Sequence, residues 1–246
     1  HRINGRIYKG SYNLNNRYID VEQQDVNDLL ATGHFAVVNM NRTYDEIVIL
    51  QDTHPPIHVL TFATDGSNDT RDLVEIQVTQ KKILERFKSV VEVHTYGLKD
   101  MVGPFFDTYH DVFFGGNRGV GFCLWKPWFI SQTLATIPEG DFLIYLDADL
   151  GVHEPSMLYL TENAKDDVIA WESVFMNLAF TKRDTMIYLG VDTQDFHFCP
   201  QVWAAVIGFR NTERSRSFVQ EWLDVCCVIP ILDDSPSVLP EHPHFF

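Results

Sequence analysis

Two carboxylates one residue apart, Asp147 and Asp149, stand directly behind an unbroken apolar run, Phe142-Leu143-Ile144-Tyr145-Leu146. Five apolar residues without a polar interruption have the pattern of a central strand covered on both faces. A chain leaving such a strand delivers its next residues to the carboxyl edge of a sheet, where open α/β sheets bind ligands. Two acids flanking Ala148 can there converge on one hard divalent cation, Mn2+ or Mg2+. Such a cation bridges phosphate oxygens and neutralises a departing diphosphate, which is Lewis-acid catalysis. An Asp-x-Asp triplet in an arbitrary loop is more often a pair of solvated acids. The buried approach alters that balance, because like charges at a strand end need an opposite charge nearby, and a metal supplies it.

The overall charge sharpens the requirement. With 34 acidic against 19 basic residues the formal net charge is -15, so the long-range field repels phosphate backbones and anionic headgroups, and nucleic acid is not an expected partner. Any anionic ligand needs local cations. Arg118 and Lys126 flank a Gly-rich turn beside a helix start and are the best placed to supply them; the plain alternative for each is a surface cation, and for Lys126 also a stem packed on Trp125. Glu172 follows an apolar segment ending at Trp171, a position from which a carboxylate meets an acceptor hydroxyl or simply sits in a connecting loop. Lys182, within Thr181-Lys182-Arg183-Asp184, is a further candidate phosphate contact, and Gln201 is placed to bind a hydroxyl.

The elements that must position these groups begin at Ile57. The run from Ile57 to Ala63 reads as a strand that stops in Thr64-Asp65-Gly66-Ser67-Asn68. Asp69 is the expected cap of a helix whose apolar stripe is Leu73, Ile76, Ile83, Leu84 and Phe87, and Val90 to His94 is a second strand. Strand, helix, strand implies a parallel crossover. Pro127 suits the first turn of a helix with Ile130, Leu134 and Ile137 buried, and Pro138-Glu139-Gly140 breaks it. Later come a short strand around Val168 to Trp171, a longer one from Val202 to Phe209, and a helix from about Glu213 to Cys227. The order argues for an α/β sandwich.

At 246 residues and 45% hydrophobic content the chain is long enough for one large core, so a single domain is expected, with residues 1–55 as a peripheral segment whose role is not readable. Cys123, Cys199, Cys226 and Cys227 form no CxxC pair and read as thiols of a reducing compartment. No run approaches a membrane span of about 18 apolar residues, and His1 to Gly5 lacks the apolar core of a signal peptide. The cytoplasm is the expected location. Asn41-Arg42-Thr43 and Asn68-Asp69-Thr70 match the glycosylation acceptor pattern, so a lumenal catalytic fragment fits the composition as well.

The segment Arg118-Gly119-Val120-Gly121-Phe122-Cys123-Leu124-Trp125-Lys126-Pro127, followed by Gly140 to Asp149, resembles a family of GT-A nucleotide-sugar transferases found in bacteria and large algal viruses. The likeness extends over roughly Val59 to Trp222 and rests on two motifs in order and at the right spacing. It implies a GT-A fold, with a central, mostly parallel sheet flanked by helices, a nucleotide-binding half over 57–150 and an acceptor half over 151–246. It also implies a nucleotide-sugar donor, UDP-linked, and a glycan or other hydroxyl acceptor. Thr61, Phe62 and Ala63 would line the nucleoside pocket, and Asp147, Ala148 and Asp149 would reach metal, ribose and diphosphate. The chain departs from the pattern after His242-Pro243-His244-Phe245-Phe246, where the family carries a His-Arg-His-Asp-Gln-Ser type segment. The expectation there is a truncated acceptor side, with His242 and His244 as its remnant, and retention of anomeric configuration. Other classes fit less well. A haloacid-dehalogenase-like phosphatase needs the acidic motif on its first strand and a Thr or Val where Gly151 stands, and a nucleotidyltransferase needs a more Gly-rich loop than Thr64 to Asn68. A carbohydrate-binding domain without turnover is separable only by assay.

Overall fold

Backbone pairing in residues 1–53, the first of two contact units, is antiparallel and local. Strand β1 (Arg2–Ile3) pairs with β2 (Arg6–Ile7), and β3 (Tyr18–Val21) and β4 (Phe35–Asn39) lie on either side of β5 (Asp45–Ile49). The computed structural model describes residues 2–3, 6–7, 18–21, 35–39 and 45–49 by their backbone, and 55–64, 72–151 and 153–241 in full. The expected cap Asp69, the acceptor patterns at Asn41 and Asn68, and His242 and His244 lie outside the described residues.

The second unit, residues 54–246, is built on a five-stranded sheet. Its members are β6 (Ile57–Phe62), β7 (Val90–Tyr96), β8 (Phe142–Leu146), β9 (Val168–Met176) and β10 (Pro200–Arg210), in the order β7-β6-β8-β10-β9. Strand β6 runs parallel to both β7 and β8, whereas β10 runs antiparallel to β8 and β9. Four of the five strands therefore point the same way. The apolar runs of β6 and β8 are buried at every position, as a strand flanked on both faces requires.

Alternation along the strands divides the core in two. Leu60, Phe62, Leu143 and Tyr145 face one layer with Phe129, Ile130 and Leu134 of α2 (Trp125–Leu134) and Val219 and Leu223 of α4 (Glu213–Cys226). Ile57, Val59, Ile144 and Leu146 face the other, with Leu84 of α1 (Leu73–Leu84) and Met157 of α3 (Glu154–Asn163). A mostly parallel sheet with helices on both faces is the fold class the sequence predicts.

Several local expectations are corrected. Helix α1 is capped by Asp72, whose carboxylate accepts from the Glu75 amide at 2.9 Å. Of its predicted stripe only Leu84 is fully buried; Gln77 and Gln80 occupy core positions instead, because their amides bind backbone carbonyls across the layer. Strand β9 does not end near Trp171 but runs on to Met176. Pro127 lies in the first turn of α2 as expected, and Ile137, beyond the helix end, is still buried. Helix α4 starts at a reciprocal cap between Thr212 and Ser215. All four cysteines are free thiols. Among the described residues no helix is long and apolar enough to cross a membrane.

Candidate functional site at the carboxyl edge of the sheet

Asp147 leaves β8 with its amide still tied to the sheet, donating to Ala205 O at 2.9 Å. Period-two alternation puts its side chain on the same face as Tyr145 and toward α2. There Tyr145 Oη donates to Asp147 Oδ1 at 2.5 Å, and Lys126 Nζ donates to the same oxygen at 3.2 Å and to Ala204 O at 2.9 Å. Lys126 is buried, and its ammonium sits 4.4 Å from the Tyr145 ring centroid and 5.7 Å from that of Trp125. Burial, then the Asp147 charge and hydrogen bond, raise the Tyr145 pKa well above its ordinary value, so the phenol remains a donor.

This corrects the charge argument made from the sequence. Like-charge repulsion at the strand end is answered in part by Lys126, which is not a surface cation but the ion-pair partner of Asp147. The two acids also have different surroundings. Asp147 meets Lys126 and Tyr145, whereas the exposed Asp149 lines a groove of about 550 Å³ with Ala148, Leu150, Gly151, the α1 cap Asp72 and the α1 residues Glu75 and Gln80. Three carboxylates around one groove repel an anion unless a cation accompanies it.

The turn carrying the acids is fixed from behind. Gln80 Nε2 donates to Asp147 O and to Leu150 O, both at 3.0 Å, and Leu150 N closes back on Asp147 O at 3.1 Å. The sequence reading passed over Gln80 and Tyr145. A signal existed for Tyr145, two residues before Asp147 on one strand; none existed for Gln80, whose partners are 67 and 70 residues away.

The Arg118-to-Phe122 segment is not a simple helical turn. Gly119, Val120, Gly121, Phe122 and Cys123 all have positive φ, between 52° and 78°. Left-handed conformation costs a non-glycine residue about 1–2 kcal/mol, and a β-branched residue such as Val120 is a marked outlier there. The turn is held by Trp125 Nε1, which donates to Gly119 O at 2.8 Å, and by the Leu124 amide on Gly121 O at 3.0 Å. Strain of this kind is concentrated at ligand-binding sites.

The remaining predicted residues are distributed as follows. Thr61, Phe62 and Ala63 are all buried at the end of β6, with the Phe62 ring stacked on Trp125 at 3.8 Å. Thr61 Oγ1 has no hydrogen-bond partner among the described residues. Arg118 is exposed and donates from Nε to Asp234 Oδ1 at 2.7 Å. Glu172 is not in a loop after a strand but inside β9, register partner of Val202 across an irregular stretch of β10. Because Asp147 bonds Ala205 of that same strand, Glu172 shares the sheet edge with it. Gln201 is the second residue of β10, which begins two residues before the expected Val202.

Lys182 does not face the acidic turn. Its Nζ donates to Pro230 O, Asp233 O, Asp233 Oδ1 and Ser235 Oγ, while the adjacent Arg183 Nη1 donates to Pro240 O. The Thr181-to-Asp184 segment is a clasp for residues 230–241. Asp233 is held below its ordinary pKa, burial opposing and the bonds from Lys182 and Ser235 prevailing.

No protein-family model matches this chain, and no curated protein matches it in sequence. It is similar in structure to a glycosyltransferase involved in the glycosylation of the major capsid of PBCV-1, with 10% identity and a TM-score of 0.38 over 70% of this chain and 66%, just under two thirds, of that one. It is also similar to 4-diphosphocytidyl-2C-methyl-D-erythritol synthase from Anaerococcus prevotii, with 12% identity and a TM-score of 0.36 over 78% of this chain and 89% of that one. At such scores neither likeness bears on what this chain does.

Proposed function

We propose that this chain is a GT-A type glycosyltransferase that moves a sugar from a UDP-sugar to a hydroxyl acceptor, a glycan in the first instance. The observation that carries the reading is the carboxyl edge of β8, where Asp147 is clamped by Tyr145 and Lys126 and its turn is fixed by Gln80 beside an acidic groove. Two carboxylates plus phosphate oxygens form the ligand set that Mg2+ or Mn2+ takes, and Asp147 with the exposed Asp149 would supply the carboxylates. Bound there, the ion would stabilise charge on the leaving diphosphate. Lys126 adds a fixed positive charge that does not depend on any metal. Glu172, across the sheet edge, is the candidate to orient or deprotonate the acceptor hydroxyl.

Isothermal titration with UDP, with and without Mn2+, tests this. Binding is expected only with the cation, and Asp149→Asn is expected to abolish it and turnover while the circular-dichroism spectrum stays unchanged. Equal UDP affinity in EDTA points instead to a metal-free site in which Lys126 alone balances Asp147. The absence of any nucleotide binding removes the reading altogether.

A further inference from the structure

His58, Glu92 and His94 form a second cluster of chemically active side chains, and it does not depend on the function proposed above. His58 is the register partner of Leu143 on β8, four residues before Asp147. At about 3.3 Å per residue the cluster lies roughly 13 Å back along the sheet from that acid. Pleating puts Glu92 and His94 on one face of the edge strand β7, and the parallel register with β6 pairs Glu92 with His58.

The geometry is that of a ligand set. His58 Nδ1 and His94 Nε2 are 3.3 Å apart, and Glu92 Oε2 lies 3.9 Å from the first and 3.7 Å from the second. Two nitrogens each about 2.0–2.1 Å from a tetrahedral zinc stand about 3.3–3.4 Å apart. The imidazoles are already at that separation, and the carboxylate, on an exposed side chain, needs to close by a few tenths of an ångström. At its present distances Glu92 is too far for a hydrogen bond to either ring, yet it faces both. His58 is buried, and Asp141 Oδ2 accepts from its Nε2 at 3.1 Å. That bond leaves the Nδ1 lone pair directed into the cluster, the carboxylate–histidine arrangement that orients metal-ligating imidazoles.

We propose that His58 Nδ1, His94 Nε2 and Glu92 Oε2 bind a divalent transition-metal ion, zinc by donor type, with Asp141 as the group that orients His58. The ion replaces the proton shared between the two rings, and His94 then carries its proton on Nδ1. Three protein ligands leave one position to water. The ion would tie the edge strand β7 to β6 and, through Asp141, to the start of β8. Lys81, whose charge opposes a cation here, is engaged with Glu85 at 3.8 Å.

The test titrates the metal-free protein with ZnCl2 against a chromogenic zinc chelator, and with CoCl2 followed by visible absorption. One equivalent of zinc is expected, with the intense d–d bands of four-coordinate cobalt. Glu92→Gln should weaken zinc about tenfold or more, His94→Ala about a hundredfold, and Asp141→Asn about tenfold. Asp149→Asn should leave zinc affinity unchanged. Zinc binding that is absent at tens of micromolar, that is lost in Asp149→Asn, or that is indifferent to Glu92→Gln overturns the proposal. Should His94→Ala fail to fold, the exposed Glu92→Gln variant and the cobalt spectrum of the parent decide alone.

Discussion

At the residue scale, the ion pair between Lys126 and Asp147 sets what the site can do. A buried ammonium over the Tyr145 ring, with a carboxylate and a carbonyl as acceptors, presents a positive field at the strand end without a long flexible reach. Lys126→Met keeps the stem and removes the charge, leaving Asp147 and Ala204 O short of a donor. Because Asp147 is about a third exposed, water recovers part of the loss, and a destabilisation of about 2 kcal/mol is expected by urea unfolding. A change near zero would mean that the pair contributes no net stability. Glu172→Gln tests the acceptor side: UDP binding should be retained while transfer slows roughly a hundredfold. Collapse of nucleotide affinity would place Glu172 on the donor instead.

At the element scale, the left-handed turn from Gly119 to Cys123 joins the Arg118 side chain to the start of α2 and hence to Lys126. Gly121 is indispensable to it. At φ +78° a Cβ there would approach Phe113 Cδ1 to 2.7 Å and Val112 O to 3.1 Å. Gly121→Ala should therefore lose about 2–3 kcal/mol from combined backbone strain and overpacking, read as a lowered midpoint of thermal or urea unfolding. An unchanged midpoint would show that the turn relaxes without cost. Helix α1 acts on the same site from the opposite layer, since Gln80 binds both ends of the acidic turn. Donors placed on a rigid helix hold such a turn better than a loop could.

At the scale of the whole molecule, the net charge of -15 decides which polyanions can approach. Three cations that the sequence offered as phosphate contacts are committed within the protein, Lys126 to Asp147, Arg118 to Asp234 and Lys182 to the 230–241 segment. The net charge opposes a phosphate backbone, so no retention on immobilised DNA is expected at about 0.1 M salt. Retention that salt elutes would show a local basic patch that overrides the net charge. On the function proposed here a single nucleotide would differ, because it would bring its own cation, and the field of the whole chain favours that cation as much as it opposes the phosphate.

What could be read from the sequence was whatever depends on neighbours a few positions away. The apolar runs at Ile57–Phe62 and Phe142–Leu146 announce strands buried on both faces, the position of Asp147 and Asp149 follows from where the second run ends, and Pro127 and Pro138 punctuate the helix between them. The short strands before residue 50 escaped because their apolar alternation is brief and broken by polar residues. The partners of the charged groups could not be read at all. Lys126 meets Asp147 across 21 residues, Lys182 meets Asp233 across 51, and His58 meets Asp141 across 83. Each pairing depends on strand order and register, and the antiparallel placement of β10 between β8 and β9 is what carries Ala204 to Lys126 and Glu172 to the same edge. Local pattern announces the buried strands; only the assembled sheet determines which charge answers which.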